Sequence, residues 1–215
     1  MTESPQNLRH RIKERLGLRH GRPNFSDPKY HGRAKRLLLD VCDIFNQAQL
    51  PYTVDAGTLL GLCRDGDLIP WDDDLDLMLP ASAIPALRKT FGAIRRRGWQ
   101  VSRLYPMEID SPVWRYGDPR VLKIRRRFLG LVGPGSTVLD ISFTYREQDH
   151  YWWEMAKRVC RIPAHYLDAT DYLEFGGRKL RVPSHREEYL ERIYGDWRQP
   201  RPDFGRDEFQ VIVDP

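Results

Sequence analysis

The sequence predicts a mixed α/β fold, of the α+β kind, in which helices flank a mixed sheet. Three observations support this prediction: an amphipathic helix pattern near the N-terminus, strands that alternate with helices in the first half, and mainly strand-like segments afterwards. With 215 residues, 40% of them hydrophobic, the chain can bury a sizeable core. We expect a basic lead-in over residues 1–30, a single candidate catalytic domain over 31–200 and a tail over 201–215.

The first half carries the helix–strand alternation. Apolar residues recur at helical spacing over 32–50. A short strand over 52–55 then precedes a short helix over 58–64. A second long helix is predicted from Ser82, a typical N-cap residue, to Gly98, a residue typical of the position after a helix.

The second half is dominated by strand-like segments, at 99–105, 113–116, 120–128 and 137–145. Residues 151–161 are predicted to be helical. Gly176 and Gly177 predict a tight hairpin over 174–182. Ser184 and Glu187 form a capping-box pattern that predicts a small C-terminal helix, which ends near Gly195.

The charge of the chain is compatible with several partners. The net charge of +5 and pI of about 9.2 suit phosphate-bearing ligands, an anionic membrane surface or nucleic acid, although a solvated arginine-rich surface would give the same values. No zinc, helix-turn-helix or aromatic RNA-binding signature accompanies the charge, so we expect no nucleic-acid partner.

The cysteines and the N-terminal segment bear on the cellular setting. Cys42, Cys63 and Cys160 are odd in number and widely scattered, which argues against a disulfide framework and against a zinc site. No apolar run approaches the roughly 18 residues that a membrane span needs. The N-terminal residues lack the apolar core of a secretory signal. We therefore expect a cytoplasmic protein, with peripheral contact to the inner membrane face as a further expectation.

The most informative segment is 69–79, in which acidic and apolar residues alternate. In a strand, Leu75, Leu77 and Leu79 would face the core, while Asp74 and Asp76 would emerge together on the other face. Two carboxylates this close repel each other unless a cation lies between them. Magnesium suits this position because it binds one or two carboxylates together with water and substrate phosphate. Manganese is a plausible substitute.

A third aspartate has the same kind of surroundings. Leu139, Ile141 and Phe143 would share one face of a strand, and Asp140 would lie on the other. An aspartate in so apolar a strand is costly unless it is paired or bound to metal. A salt bridge to an arginine is the alternative to a place in the metal site.

Three other kinds of protein also contain an Asp-x-Asp pattern. Two of them match this sequence less well, and the third matches it equally well. A calcium loop that starts at Asp72 would need Gly and Glu where this chain has Leu77 and Ala83. A haloacid-dehalogenase-type phosphatase would need an apolar strand before its first Asp, and this chain has Pro70 and Trp71 there. A glycosyltransferase, which also holds a metal against a nucleotide diphosphate, stays open on the pattern alone.

A phosphate site is indicated upstream of the acidic segment. Gly57 and Thr58 follow a predicted strand and open a short helix. Glycine allows close approach of the backbone to a ligand, and a helix N-terminus offers free N–H groups to phosphate. An ordinary turn with a threonine near a helix start is the alternative interpretation.

Together these segments closely resemble the LicD/fukutin-related family, a branch of the nucleotidyltransferase superfamily with a polymerase-β-like core. The resemblance is carried by residues 55–61 (DAGTLLG), Arg64, 69–76 (IPWDDDLD), 139–141 (LDI), 182–183 (VP) and 194–195 (YG). It runs from about Tyr52 to Trp197, and residues 100–135 depart most from the family pattern.

The resemblance implies a transferase that moves phosphocholine or a polyol phosphate from a CDP-linked donor to a hydroxyl of a glycan or lipid-linked saccharide. It implies that Asp74 and Asp76 hold magnesium, that Asp140 completes the metal site or helps to deprotonate the acceptor, and that Gly57 and Thr58 contact donor phosphate.

Basic residues provide further candidates for the donor site. Arg64 could bind the pyrophosphate as a bidentate donor, or it could form an ion pair with Asp72 or Asp73. Lys123 and Arg125 share one strand face and could point into the same cleft, or they could form a solvated basic face. A nucleotidyltransferase that moves a nucleoside monophosphate from an NTP, and a non-catalytic nucleotide-binding module, are the alternative functions.

Overall fold

A computed structural model describes residues 23–126 and 138–213 of the chain. The helices are α1 (Pro28–Gln47), α2 (Ala56–Arg64), α3 (Ile84–Arg96), α4 (His165–Asp168) and α5 (Arg186–Tyr194). The strands are β1 (Thr53–Val54), β2 (Asp74–Pro80), β3 (Trp99–Pro106), β4 (Pro119–Arg126), β5 (Val138–Glu147), β6 (His150–Met155), β7 (Arg158–Pro163), β8 (Thr170–Phe175), β9 (Arg178–Pro183) and β10 (Ile212–Val213). Short 3₁₀ turns occur at Ala81–Ala83 and Arg206–Glu208.

Strand β5 is the centre of a mixed sheet. Its first half lies between β2, which is parallel to it, and β4, which is antiparallel. Strand β1 pairs with β2, and β3 pairs with β4, both antiparallel. The last residues of β5 pair with β6, and β7 and β10 continue that side of the sheet. Strands β8 and β9 form a separate hairpin.

The core side of the sheet follows from the alternation in β2 and β5. Leu75, Leu77 and Leu79 of β2 are at most 1% exposed, and the apolar residues that alternate with Asp140 in β5 are fully buried. Helices α1 and α3 pack together, and α1 also packs against β5 and β9. None of the helices in the described ranges is long and apolar enough to cross a bilayer.

Most of the predicted elements are confirmed, with ends shifted by a few residues. Helices α1, α2, α3 and α5 and strands β1 to β5 lie where the patterns place them. The β8–β9 hairpin turns at Gly176 and Gly177, whose φ angles of 58° and 73° belong to the left-handed region that glycine favours. The predicted ends at 127–128 and 137 lie outside the described residues.

The helix predicted over 151–161 is wrong, because this segment forms the β6–β7 hairpin. Ala156 and Lys157 make the turn with φ angles of 51° and 64°, a conformation that usually calls for glycine or asparagine. The turn signal was therefore absent from the sequence. A helix here would also leave the end of β5 without its partner strand.

Three local predictions are also corrected. Residues 113–116 form an irregular segment that leads into a turn instead of a strand, because the Ser111 hydroxyl accepts hydrogen bonds from the N–H groups of Val113 and Trp114. Ser82 is not an N-cap, since it lies inside a 3₁₀ turn. Ser184 forms no capping box, because α5 begins after His185, without a side-chain cap.

Gly61 in α2 offers a test of how tightly this helix is packed. A Cβ at Gly61 would lie 2.6 Å from the carbonyl oxygen of Asp67 and 2.9 Å from a side-chain carbon of Ile69. A Cβ at Gly32, which is exposed in α1, would meet nothing within 4 Å. Both positions are inside helices, so alanine gives each a similar gain in helix propensity.

We therefore expect Gly61→Ala to lower the free energy of unfolding by about 1–3 kcal/mol, and Gly32→Ala to raise it by up to about 1 kcal/mol. Urea denaturation followed by circular dichroism measures both. Equal stability of the two variants would contradict the close approach of α2 to the 67–69 segment.

Candidate active site

A cavity of about 670 Å³ lies over the face of strands β2, β4 and β5 that carries Asp76, Lys123 and Asp140. The start of α2 and the loop before β2 form one side of the cavity. The β6–β7 turn and residues 194–209 form the other side. The cavity therefore has an acidic end, which contains the predicted aspartates, and an aromatic end, which the sequence analysis did not predict.

The strand register brings three predicted residues into one row. Asp76 of β2 lies beside Asp140 of β5, and Asp140 lies beside Lys123 of β4. All three line the cavity. The Lys123 ammonium forms a short ion pair with Oδ2 of Asp140. The salt bridge that was the alternative to a place of Asp140 in the metal site is thus present, with lysine in the place of arginine.

The backbone of Asp76 is fixed by the residues that open α2. Its N–H donates to the hydroxyl of Thr58 at 2.9 Å, and its carbonyl oxygen accepts from the N–H of Asp55 at 3.1 Å. Thr58 is 2% exposed and does not line the cavity. The structure therefore shows that its hydroxyl positions Asp76, and the contact with donor phosphate stays a prediction.

The loop before β2 supplies two carboxylates, those of Asp72 and Asp73, that the predicted site did not include. One oxygen each from Asp72, Asp73 and Asp74 lie within 4.8 Å of one another. In the described ranges it is these three oxygens, and not those of the predicted Asp74, Asp76 and Asp140, that come together this closely. The backbone of the loop is held by hydrogen bonds from the Phe25 N–H to Asp72 and from the Tyr30 hydroxyl to Asp73.

Crowding of carboxylates changes their acidity. Burial, and next the negative charge of Asp74, raise the pKa of Asp72 to about 7. Burial and the neighbouring carboxylates, of which Asp74 acts most strongly, raise the pKa of Asp76 well above its usual range. A cation at this end would relieve the repulsion that causes part of both shifts.

The residues fit a hard divalent cation. Their donors are carboxylate oxygens, which are the ligands that magnesium and manganese prefer. Oδ1 of Asp140 is buried and has no hydrogen-bond partner among the described residues, which is unusual for a carboxylate oxygen. Asp74, Asp76 and Asp140, with Asp72 and Asp73 beside them, are therefore candidate ligands.

The start of α2 brings backbone close to the acidic loop. A Cβ at Gly57 would clash with Oδ2 of Asp72, so only glycine fits there without a shift. Ala56 has a φ angle of 45°, which residues with a Cβ rarely adopt. Both residues line the cavity. Strain of this kind is often stored at functional sites.

The two arginine candidates occupy different places. Arg64 lines the cavity, stacks its guanidinium over Trp71 at 5.7 Å and forms a two-pronged ion pair with Asp65. Arg64 therefore forms its ion pair with Asp65, and not with Asp72 or Asp73 as the alternative prediction had it. Arg125 does not line the cavity, although it shares a strand face with Lys123.

The aromatic end contains groups that sequence reasoning missed. Tyr194, Phe204 and Phe209 form a cluster with ring centroids 5.2–5.4 Å apart. Glu154 and Arg120 also line this cavity. Glu154 escaped notice because it lies in the segment mistaken for a helix, where strand alternation was not considered.

Asp55 is a further cavity residue that the site prediction left out. It is 7% exposed, and its Oδ1 accepts a hydrogen bond of 2.5 Å from the hydroxyl of Tyr189 on α5. Burial raises the pKa of Asp55, and the hydrogen bond from Tyr189 opposes that rise. An aspartate immediately after a buried strand was the available sequence signal.

Comparison with known families identifies the domain. Residues 49–185 match the profile of the family described as "LicD/FKTN/FKRP, nucleotidyltransferase domain". The chain belongs to the LicD/FKTN/FKRP family. The match spans β1 to β9 and so includes the three aspartates of the predicted site.

Curated relatives of this LicD-family chain are distant in sequence. Ribitol-5-phosphate transferase FKTN of Macaca fascicularis is 25% identical over 179 residues, which are 78% of this chain and 33% of FKTN. An uncharacterized protein, RP689, of Rickettsia prowazekii is 22% identical over 185 residues, which are 84% of this chain and 57% of RP689. The chain thus spans about a third of the length of FKTN.

A solved structure with some likeness is the antibiotic-resistance factor ANT(2″)-Ia. It has a TM-score of 0.46 and 16% sequence identity, and the alignment covers 84% of this chain and 81% of that chain. Such a TM-score is too low to establish a common fold.

Tyr189→Phe tests the hydrogen bond that holds Asp55. Loss of the hydroxyl leaves a buried carboxylate without its side-chain donor, so we expect the free energy of unfolding to fall by about 1–3 kcal/mol. The matched control is Tyr172→Phe at a residue that is 51% exposed, where we expect a change within about 0.5 kcal/mol. Urea denaturation measures both, and equal values would show that the Tyr189 hydroxyl adds nothing to stability.

Proposed function

We propose that this LicD-family domain transfers a phosphorylated head group, phosphocholine or a polyol phosphate, from a CDP-linked donor to a hydroxyl of a glycan or lipid-linked saccharide, with release of CMP. The observation that carries the proposal is the row of Asp76 and Asp140 on adjacent parallel strands, beside Asp72–Asp74, in a large cavity. The names of FKTN and FKRP as ribitol phosphate transferases support the choice of reaction.

We propose magnesium as the metal, with Asp74, Asp76 and Asp140 as its ligands and Asp72 or Asp73 as additional ones. When bound, it would neutralise charge on the phosphoryl oxygens and on the departing CMP. Support comes from the oxygen-only donor set and from the unpartnered Oδ1 of Asp140.

The acceptor hydroxyl would attack the β-phosphorus in line. A new bond forms between the acceptor oxygen and phosphorus, while the bond from that phosphorus to the bridging oxygen breaks, and CMP leaves with the bridging oxygen. If Asp140 acts as the base instead of as a metal ligand, the proton of the hydroxyl passes to its carboxylate and then to solvent; otherwise the proton passes to solvent directly. Lys123 holds Oδ2 of Asp140, which fixes the orientation of the carboxylate for this transfer.

The donor phosphates would lie between α2 and the basic side chains. Gly57 lets the backbone come close to them, and the N-terminus of α2 presents its free N–H groups there. Lys123 and Arg64 line the same cavity and add positive charge. Arg125 does not line it, so the proposed donor site does not include Arg125.

A second candidate is nucleotidyl transfer, which the family description as a nucleotidyltransferase domain favours. In that reaction the hydroxyl attacks the α-phosphorus of an NTP, and pyrophosphate leaves. The same carboxylates would serve it.

Asp74→Asn and Asp76→Asn test the carboxylates. Each variant should fold, because loss of one charge relieves repulsion, and each should lower turnover by ~10²-fold or more. Thermal shift with CDP-ribitol, with and without magnesium, should show a magnesium-dependent stabilisation in the wild type and in the control variant but in neither active-site variant. Asp149→Asn, in an exposed turn, is the matched control. Wild-type turnover by either active-site variant would remove that residue from the site.

Product analysis separates the two candidate reactions. The protein is incubated with magnesium, a glycan extract and either CDP-choline, CDP-ribitol, CTP or ATP, and the nucleotides are resolved by chromatography. We expect CMP together with a phosphodiester-modified glycan. Pyrophosphate released from CTP or ATP, with a nucleoside monophosphate on the acceptor, would show the second candidate to be correct.

A further inference from the structure

Trp71, in the loop before β2, is an exposed aromatic residue inside a cavity. Its side chain is 40% exposed, and among the described residues Tyr116 and Tyr172 are the other large apolar side chains that are exposed. Neither tyrosine lines the cavity of the aspartates, whereas Trp71 does. Ligand cavities are lined mainly by apolar and aromatic side chains, so an accessible indole in such a cavity is a candidate ligand contact.

The backbone on either side of Trp71 is held in place. The segment forms a turn in which the N–H of Asp72 donates to the carbonyl oxygen of Ile69 at 3.0 Å, and Pro70 fixes one φ angle of this turn. The carbonyl oxygen of Asp72 accepts from the N–H of Phe25 at 2.9 Å. The indole is thus carried by an anchored turn, so little backbone freedom is lost when a ligand packs on it.

Arg64 covers one side of the indole. The central carbon of its guanidinium lies over the ring, 5.7 Å from the ring centroid. Two hydrogen bonds to the carboxylate of Asp65, at 2.9 and 2.7 Å, fix the guanidinium. The Arg64 side chain is only 8% exposed. The exposed part of the indole is therefore the part that faces away from Arg64.

The cation on one side of the indole changes what the opposite side prefers to contact. The face of an aromatic ring is negative, so two stacked faces repel each other, while the C–H groups of a sugar are attracted. The guanidinium draws electron density of the indole toward itself. This lowers the negative charge on the opposite face, which favours a stacked planar ring over a sugar. The ligand group that best fits this side of Trp71 is therefore a planar aromatic ring.

The distance from Trp71 to the aspartates suits a nucleotide. Trp71 precedes Asp74 by three residues, so the two Cα atoms are at most ~11 Å apart. Both residues line the same cavity. In a nucleotide the ribose separates the phosphate from the base by a comparable span. Trp71 and Arg64 also line a second cavity of about 580 Å³, which provides room for a base beside the indole.

We propose that Trp71 forms a nucleobase subsite, in which the base of the bound nucleotide stacks on the side of the indole opposite Arg64. Every base has a flat π-face, so stacking binds bases of different identity with similar strength. This proposal rests on the proposed function in one respect, namely that the ligand at the aspartates is a nucleotide.

Trp71→Leu tests the subsite, because it removes the ring and keeps an apolar side chain. Trp71→Phe is the conservative variant, which keeps a smaller ring. The matched control is Tyr116→Leu, at a residue that is 68% exposed and lines neither cavity. Circular dichroism and the melting temperature establish folding. If Trp71→Leu does not fold, Trp71→Met carries the test, since its flexible side chain fills irregular space.

Calorimetry with magnesium present measures the affinity for CMP, UMP and AMP, and for ribose 5-phosphate, which has the phosphate and the sugar but no base. We expect Trp71→Leu to lower the affinity for each nucleotide by about tenfold. Its affinity for ribose 5-phosphate should stay within about twofold of the wild-type value, because the carboxylates are unchanged. Trp71→Phe should recover most of the loss, and Tyr116→Leu should bind every ligand as the wild type does.

Two results would overturn the subsite. Nucleotide affinities of Trp71→Leu within about twofold of the wild type would show that no base stacks on the indole. A loss for ribose 5-phosphate as large as that for CMP would show that Trp71 acts only through the loop of the aspartates.

Failure of the proposed function gives a different result. In that case the nucleotides bind with the expected dependence on Trp71, but no CMP is formed from a CDP-linked donor. A wild-type protein that binds none of the nucleotides would overturn both the subsite and the proposed function.

Discussion

The parallel pairing of β2 with β5 in a single register determines where the acidic groups lie. Leu75, Leu77 and Leu79 lie beside Leu139, Ile141 and Phe143, and both apolar sets are buried on one side of the sheet. Asp76 and Asp140 consequently lie side by side on the other. A slip of one residue in either strand would bury an aspartate and expose the leucines. The hydrophobic core thus fixes the geometry of the polar site.

Repulsion between carboxylates at the acidic end destabilises the folded chain and favours the binding of a cation. Among the described residues that line this end, the carboxylates outnumber the cationic side chains, of which Arg64 is already paired with Asp65. Lys123 offsets the charge of Asp140 alone. Burial raises the pKa of Asp72 and of Asp76, and the remaining repulsion raises both further. A bound cation would remove this repulsion, so binding of the proposed metal should stabilise the folded chain as well as the donor complex.

The sequence predicted the parts of the structure that depend on local periodicity. Alternation in β2 and β5 placed Asp74, Asp76 and Asp140 on one face, and the paired glycines located the β8–β9 hairpin. Elements without a local signal were missed. Ala156 and Lys157 turn the β6–β7 hairpin without glycine, so the strand that carries Glu154 was taken for a helix.

Contacts between residues distant in the sequence were also beyond prediction. The ion pair of Lys123 with Asp140 depends on the strand order, in which β4 lies beside β5. The hydrogen bond from Tyr189 to Asp55 joins residues 134 positions apart. The aromatic end of the cavity depends on long-range contacts as well, among them the pairing of β10 with β7, which brings the preceding residues back to the site. No pattern within a short window records such contacts.

The β2–β5 pairing has a consequence for the folding rate. Asp76 and Asp140 are separated by about 60 residues of chain, so a large loop must close before any of their neighbouring contacts can form, and closure of this kind slows folding. Strands β3 and β4 belong to the intervening chain, and their hairpin can assemble earlier. The acidic row is therefore completed only when this loop closes, so its electrostatic repulsion should act at the slow step of folding and lower the folding rate further.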